Sequence, residues 1–165
     1  MADQEQSRKG LNILIVDDER EYRLLLGGFL QHQGWSVVSA EHGQEALDKL
    51  RESPIDIVIT DIYMPVMDGL KFHRAVRASA QFSTIPFLFV SAYDDQYTLD
   101  AVKNPRLEAF MRKGRTLNEL KEWVEYLTTP YEKRPTMHPG ERSLRAAAAR
   151  EEDRTRLSSR NPKRR

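Results

Sequence analysis

Polar side chains stand where four short apolar runs of this chain stop. They are two adjacent carboxylates, a third carboxylate, a hydroxyl and an ammonium, carried by Asp17, Asp18, Asp61, Ser91 and Lys113. The runs cover residues 11–16, 55–60, 85–90 and 107–112. Such runs are typical of buried strands, and an open parallel sheet binds ligands outside the carboxyl ends of its strands. We therefore expect these side chains to converge at one edge of a sheet.

The chemistry that this set favours is the binding and transfer of a phosphoryl group. Three carboxylates held together repel one another, and a hard divalent cation such as Mg²⁺, which prefers oxygen ligands, is their natural counter-charge. Ser91 and Lys113 then supply donors for an anion bound beside the metal. Asp61 is placed as the nucleophile, because an aspartyl phosphate is an established intermediate and the metal and lysine would neutralise the developing charge.

Alternating strand-like and helix-like segments must position these residues. The apolar runs predict strands over residues 11–16, 35–40, 55–60, 85–90 and 107–112. Helical spacing predicts helices over residues 19–33, 43–52, 68–80 and 94–103, and a last helix from the capping box of Thr116 and Glu119 to just before Pro130. Strands that alternate with helices imply right-handed crossovers and a parallel sheet covered on both faces.

The combination resembles the response-regulator receiver domain of two-component signalling. The matching motifs are Asp17 with Asp18, Asp61 within ITDIYMPVMDGL, Ser91 with Ala92, and Lys113. Intervals of 43, 30 and 22 residues separate Asp18, Asp61, Ser91 and Lys113 in turn. The resemblance implies an α/β fold over residues 11–128, namely a flavodoxin-like, doubly wound, five-stranded parallel sheet in the order 2-1-3-4-5 with five helices.

The resemblance also implies a role for each residue. Asp61 would be the phosphoacceptor, receiving the phosphoryl group from a histidine kinase or a phosphotransfer protein. Asp17, Asp18, Asp61 and the backbone carbonyl of Tyr63 would bind Mg²⁺. Lys113 would contact the phosphoryl group.

Further residues are implied to act as a switch or to set the lifetime of the phosphoryl group. Ser91 would move to bond that group and Phe110 would swing inward with it, changing a partner-binding face on the fourth helix, fifth strand and fifth helix. Tyr63 and Tyr93 hold lifetime-tuning positions, where two large rings would slow self-dephosphorylation. Gly114 follows Lys113 where the family usually has proline, often with a cis bond, so the local turn stays open.

Charge and composition divide the chain into a body and a tail. Residues 1–130 carry 15 Lys and Arg against 20 Asp and Glu, whereas residues 131–165 carry 11 against 5. We expect a polar N-terminal extension over residues 1–10, the receiver domain over residues 11–128 and a basic, disordered tail over residues 129–165. The chain has no cysteine, a polar start and no long apolar stretch, which predicts a cytoplasmic protein without a membrane span.

These observations favour a single-domain response regulator, a phosphoacceptor signalling protein rather than a turnover enzyme. It would bind an unidentified downstream protein or pass the phosphoryl group onward. Two alternatives stay open: a phosphorylation-independent scaffold, and a nucleic-acid-associated regulator that uses the basic tail. A haloacid-type hydrolase is disfavoured, because it needs an aspartate where Tyr63 stands. The four histidines lack metal-ligand spacing and are predicted to be non-functional.

Overall fold

The structure, a computed structural model, describes residues 10–159 of the chain. Its strands are β1 (Asn12–Val16), β2 (Ser36–Ala40), β3 (Ile57–Thr60), β4 (Phe87–Ser91) and β5 (Glu108–Arg112). Its helices are α1 (Arg20–His32), α2 (Gly43–Glu52), α3 (Gly69–Ala78), α4 (Gln96–Leu99), α5 (Leu117–Thr128) and α6 (Pro139–Ser159). The predicted N-terminal extension lies outside the described residues, apart from Gly10.

The strands form one parallel sheet in the order β2-β1-β3-β4-β5, which confirms the predicted topology. β1 pairs with β2 and β3, so that Val16 lies opposite both Ala40 and Thr60. In the pairing of β4 with β5, Ser91 lies opposite Arg112. The carboxyl ends of β1, β3, β4 and β5 therefore meet along one edge of the sheet.

The core has two layers because successive side chains of a strand point to opposite faces. Ile13 and Ile15 of β1 pack in a cluster with α1 and α5, whereas Leu14 and Val16 pack with α2 and α3. Every residue of β3 and β4 is buried. Near-continuous apolar strands are the expected pattern for a sheet that helices cover on both faces.

The fourth helix is shorter than the predicted 94–103. Asp95 caps α4 by accepting the amide N–H of Thr98 at 2.9 Å, and the helix ends after one turn at Leu99. The amide N–H groups of Lys103 and Asn104 donate to Glu108 Oε2, at 2.7 and 2.6 Å, instead of extending the helix. The competing acceptor on β5 therefore decides where this segment leaves the helical conformation.

The described part of the tail contains helical structure, and the predicted disorder of the tail stays a prediction. A 3-10 turn over Tyr131–Lys133 follows α5, and α6 occupies most of the remaining described residues. The His138 ring stacks on Trp123 of α5 with a centroid separation of 5.4 Å, and Pro139 is buried. Residues 144–158 of α6 are exposed. Residues 160–165 lie outside the described part, and the boundaries of the receiver domain stay a prediction.

Among the described residues, no helix is both long enough and apolar enough to cross a bilayer.

Candidate functional site

Backbone pairing beyond the ends of the strands fixes the carboxylates. The amide of Asp17 donates to Ala40 O at 3.1 Å, and the amide of Asp61 donates to Val16 O at 2.8 Å. The amide of Lys113 donates to Ser91 O at 2.8 Å. These bonds continue the ladder by one residue, so the side chains after β1, β3 and β5 leave the sheet from fixed positions.

The three carboxylates are brought together as expected. Oxygen atoms of Asp17, Asp18 and Asp61 lie within 4.8 Å of one another. Asp17 and Asp61 are buried, whereas Asp18 is exposed. Burial raises the pKa of Asp17, and the charge of Asp61 adds to this, although hydrogen bonds from Lys113 and the Glu19 amide oppose it. A set of clustered carboxylate oxygens fits a hard divalent cation such as Mg²⁺.

Lys113 supplies the positive charge of the site. Its Nζ lies 2.7 Å from Asp17 Oδ2 and 2.9 Å from Asp61 Oδ2. Glu19 Oε2, 3.6 Å from Nζ, is a further anion at the rim. Burial would lower the pKa of Lys113, but its hydrogen bonds to both aspartates outweigh burial and raise that pKa. The ammonium is therefore charged and bridges two strand ends.

Tyr22 completes the surroundings of Lys113 and was not singled out by the sequence pattern. The Lys113 ammonium lies over the Tyr22 ring, 4.6 Å from its centroid, in a cation–π arrangement. Burial raises the pKa of Tyr22 to about 12, so its phenol stays neutral beside the carboxylates. In the sequence, helical spacing marks Tyr22 only as a core-facing residue of α1.

The two oxygens of Asp61 have different partners. Oδ1 accepts the amide N–H of Ile62 at 2.7 Å, and Oδ2 accepts from Lys113. The Gly69 amide donates to Ile62 O at 2.7 Å, which draws the start of α3 against this turn. A Cβ at Gly69 would lie 2.0 Å from the carbonyl oxygen of Asp61. Gly69 is therefore required for the close approach of two backbone segments.

Ser91 and Phe110 lie on the adjacent strands β4 and β5. Ser91 is the last residue of β4 and is fully buried, and its Oγ accepts the amide N–H of Tyr93 at 3.2 Å. Phe110 lies opposite Phe89 on β5 and is partly buried against the cluster of α2 and α3. The switch role of both residues stays a prediction.

Tyrosine side chains follow β3 and β4 at the carboxyl edge of the sheet, and we call the region that Tyr63 and Tyr93 border the mouth of the site. Tyr63 is 40% exposed and Tyr93 is 60% exposed, and their rings meet edge to face at 5.3 Å. Tyr97 of α4, which the sequence pattern did not single out, lies with its ring centroid 5.8 Å from that of Tyr63. Tyr63 and Tyr93 each lie two residues beyond a strand-end site residue, so their rings span the ends of β3 and β4.

The turn after Lys113 is formed by Gly114, whose φ is +92°. Glycine adopts this left-handed conformation at little cost, because it has no Cβ. The Arg115 amide closes the turn by donating to Arg112 O at 3.3 Å. A left-handed glycine therefore forms the turn at the position where the family usually has proline, and no peptide bond among the described residues is cis.

Three of the four histidines have capping or packing partners in the fold. His42 Nδ1 accepts the Glu45 amide N–H at 3.2 Å and caps α2. His73 is buried and its Nε2 lies 2.7 Å from Glu108 Oε1. His138 stacks on Trp123. Each of the three therefore has a packing or capping partner away from the carboxylate cluster.

Comparison with known proteins agrees with this geometry. The family model described as the response regulator receiver domain matches residues 13–125. A probable chemotaxis protein CheY of Rhizobium etli is 30% identical over 116 residues, which are 70% of this chain and 90% of that protein. The CAI-1 autoinducer sensor kinase/phosphatase CqsS of Vibrio cholerae is 32% identical over 125 residues, 73% of this chain. This chain spans only 18% of CqsS.

Solved structures give the same fold. Chemotaxis protein CheY4 of Vibrio cholerae superposes with a TM-score of 0.66 at 28% identity, covering 72% of this chain and 99% of that one. The receiver domain of sensor histidine kinase PA1611 from Pseudomonas aeruginosa, described with a magnesium ion coordinated in its active-site cleft, gives 0.65 at 22% identity, covering 73% of this chain and 98% of its own. The topology, the carboxylate cluster and the family match agree, and the chain belongs to the response regulator receiver domain family.

Proposed function

We propose that this receiver domain accepts a phosphoryl group on Asp61 from a histidine kinase or a phosphotransfer protein. The observation that carries the proposal is the position of Lys113 Nζ, 2.7 Å from Asp17 and 2.9 Å from Asp61 within a cluster of three carboxylates. A charged ammonium beside a strand-end carboxylate is suited to an incoming phosphoryl group, because it offsets charge on the transferred oxygens.

The proposed reaction is a single displacement at phosphorus. An oxygen of Asp61 forms a bond to phosphorus while the bond from phosphorus to the donor's imidazole nitrogen breaks, and the imidazole keeps the electron pair. Oδ2 is the better candidate, since Oδ1 is held by the Ile62 amide at 2.7 Å. Lys113 would then transfer its hydrogen bond from the carboxylate to the phosphoryl group. The protein takes part as a phosphoacceptor and loses the group by hydrolysis.

The residues present fit a magnesium ion. Asp17, Asp18 and Asp61, with the backbone carbonyl of Tyr63, would hold it, because their oxygens are the ligands that Mg²⁺ takes. The ion would supply positive charge beside the transferred phosphoryl oxygens. Asp17 and Lys113 contact each other already, so they order one side of the cluster.

The proposed output is a shift between two states of one surface. Ser91 would exchange its bond to the Tyr93 amide for one to the phosphoryl group, and Phe110 would move inward as Ser91 leaves its present position. Both lie on the strands that carry α4 and α5, so the face of α4, β5 and α5 would change. A downstream protein would read this change, as a population shift between existing states.

The test is intact-mass spectrometry of the full chain after incubation with acetyl phosphate and Mg²⁺. We expect one phosphoryl adduct, absent from Asp61→Ala and absent without the metal. Asp48→Ala is a matched control, because it removes an exposed carboxylate of α2 that lies outside the cluster. If no adduct forms, titration with Mg²⁺ and with beryllofluoride follows. No binding of either ligand would favour the phosphorylation-independent scaffold.

The tyrosines at the mouth lead to a further expectation about the phosphoryl lifetime. Tyr63 and Tyr93 are in edge-to-face contact, and Tyr63 follows Asp61 by two residues, so we expect the paired rings to limit the access of water to Asp61. Replacing Tyr63 or Tyr93 by serine should shorten the lifetime of the adduct. Equal lifetimes in the wild type and both variants would contradict the shielding hypothesis.

A further inference from the structure

Two tyrosine hydroxyls cross between the segments that border the site. Tyr63, which follows β3, donates its hydroxyl to Asp95 at the start of α4. Tyr97, on α4, donates its hydroxyl to Asp68 Oδ2 at the start of α3, at 2.8 Å. The loop between β3 and α3 therefore donates one hydroxyl hydrogen bond to the segment that begins α4, and accepts one hydroxyl hydrogen bond from it. We call these four residues the tyrosine–aspartate cross-link.

Both acceptors are held in place by their helices. Asp68 Oδ1 accepts the amide N–H of Lys71 at 2.8 Å, and Asp95 Oδ1 accepts that of Thr98 at 2.9 Å. Each aspartate thus uses one oxygen to cap a helix and the other to receive a tyrosine. Capping fixes the side-chain conformation, so little further ordering is needed when the hydroxyl binds.

The protonation states of these groups favour the cross-link. The hydrogen bond to Asp95 raises the pKa of Tyr63, and the same bond lowers the pKa of Asp95. Burial and Asp68 raise the pKa of Tyr97. The tyrosines therefore stay neutral donors near neutral pH, and hydrogen bonds to a charged acceptor are stronger than those between neutral groups.

The short α4 makes these bonds important. With only one helical turn, α4 has few internal hydrogen bonds. Other anchors near it are the buried Thr98 and Ala101, and the exposed ion pair of Arg112 with Asp94 at 3.1 Å. An exposed ion pair adds little stability. The cross-link adds two side-chain hydrogen bonds between this segment and the loop after β3.

We propose that Tyr97 and Asp68 are positioning residues that hold the Tyr63 and Tyr93 rings across the mouth above Asp61, and that opening of the cross-link admits the water that hydrolyses phosphorylated Asp61. This inference rests on the proposed phosphorylation. In the hydrolysis, the water oxygen bonds to phosphorus as the bond from phosphorus to the Asp61 oxygen breaks. The carboxylate is restored, and both water protons end on the inorganic phosphate.

The first test compares the decay of the phosphoryl adduct in the wild type and in Tyr97→Phe. The phenylalanine keeps the ring and removes only the bond to Asp68. If hydrolysis proceeds from the open state, losing one hydrogen bond should raise the open population and speed the decay by about two- to tenfold. Tyr63→Phe should act in the same direction, and the double variant should show about the product of the two effects. Tyr126→Phe is the control, since its ring lies on α5 away from the site.

The alternative to be distinguished is shielding by the rings alone. That alternative predicts the wild-type decay for Tyr97→Phe and Tyr63→Phe, because both variants keep their rings. Wild-type decay in both would overturn the inference while leaving the proposed function intact. If the wild type itself forms no adduct and binds neither Mg²⁺ nor beryllofluoride, the proposed function fails instead.

A second readout does not depend on phosphorylation. Hydrogen exchange of the amides of residues 92–99 reports the opening of this segment in the unmodified full chain. We expect exchange there to be faster in Tyr97→Phe by a factor similar to that of the decay, with the amides of β1 and β3 unchanged. Unchanged exchange at residues 92–99 would overturn the cross-link as the element that holds the mouth closed.

Discussion

At the scale of single residues, the site depends on backbone contacts as much as on its charged groups. Asp61 holds its orientation through the Ile62 amide, and Gly69 lets the start of α3 approach the Asp61 carbonyl. Asp68, the residue before Gly69, caps α3 by accepting the amide N–H of Lys71. The contact of Gly69 with the backbone of Asp61 joins the start of α3 directly to the proposed phosphoacceptor.

Gly69 and Gly28 should respond in opposite ways to alanine. Gly69→Ala places a Cβ 2.0 Å from Asp61 O, so the turn must shift, and we expect a loss of about 1–3 kcal/mol in unfolding free energy with slower phosphorylation of Asp61. Gly28→Ala meets nothing within 4 Å on α1 and should gain about 1 kcal/mol. Denaturant unfolding of both variants checks this, and a neutral Gly69→Ala would contradict it.

Val66 carries local strain in the same loop. Its φ is +66°, a left-handed conformation that is unfavourable for a β-branched residue, and its side chain is 79% exposed. Val66→Asn should raise the unfolding free energy by about 1 kcal/mol, because asparagine tolerates this conformation and no buried contact is lost. Thermal unfolding measures the change, and a lower midpoint for Val66→Asn would show that the valine side chain stabilises the loop.

At the scale of elements, the strands were better predicted than the segment between β4 and β5. A strand can be predicted from its own apolar residues. The segment after α4 is instead held by Glu108, a residue of the next strand, which accepts the amides of Lys103 and Asn104. Glu108 also contacts His73 Nε2 at 2.7 Å and Arg77 Nε at 3.2 Å on α3. One buried carboxylate thus joins α3, the segment after α4 and β5.

Glu108 should make the stability of the fold depend on pH in the acid range. Burial would raise its pKa, but hydrogen bonds from His73 and two amides outweigh burial and lower the pKa to about 2. A lowered folded-state pKa stabilises the fold above the ordinary value of 4.5, and this contribution is lost as the pH falls towards 2. It is on the order of 3 kcal/mol.

The measurement is unfolding free energy against pH for the wild type and Glu108→Gln. We expect the variant to be less stable at pH 7 and the two curves to approach each other below pH 4.5. Glu152→Gln, an exposed carboxylate of α6, is the matched control and should follow the wild type. Parallel curves for the wild type and Glu108→Gln would contradict the assigned role.

At the scale of the whole molecule, Arg134 and the stack of His138 on Trp123 are prominent contacts between the tail and the receiver domain. Arg142 also pairs with Glu122 at 3.8 Å, and Arg106 lies over the Tyr131 ring. The Arg134 guanidinium donates to three backbone carbonyls, those of Thr129, Arg106 and Leu127, at 2.9, 2.8 and 3.1 Å. It also lies over the Tyr126 ring, 5.1 Å from the centroid. Beyond this attachment, α6 has both acidic and basic residues, so its described surface does not form the uniformly basic stripe that nucleic-acid binding favours.

Arg134→Lys should release α6 from α5 without unfolding the sheet. An ammonium cannot reproduce the planar set of donors that reaches three carbonyls, so at least one hydrogen bond is lost. We expect hydrogen exchange and protease cleavage of residues 131–145 to rise by roughly tenfold, with exchange in the strands unchanged. Arg150→Lys, on the exposed part of α6, is the control. Equal protection in both variants would show that the stack of His138 on Trp123 is sufficient.

The sequence by itself determined the alternation of elements, the sheet and the residues that converge at its edge. The reason is local: apolar runs mark buried strands, and the polar residue after each run must emerge at the carboxyl end. Only the tertiary structure decided the partners of those residues. Lys113 and Asp61 are 52 positions apart, Tyr63 and Asp95 32, and Tyr97 and Asp68 29. Contacts between residues so far apart in the sequence depend on how the elements pack. That packing also set the length of α4 and placed α6 on α5.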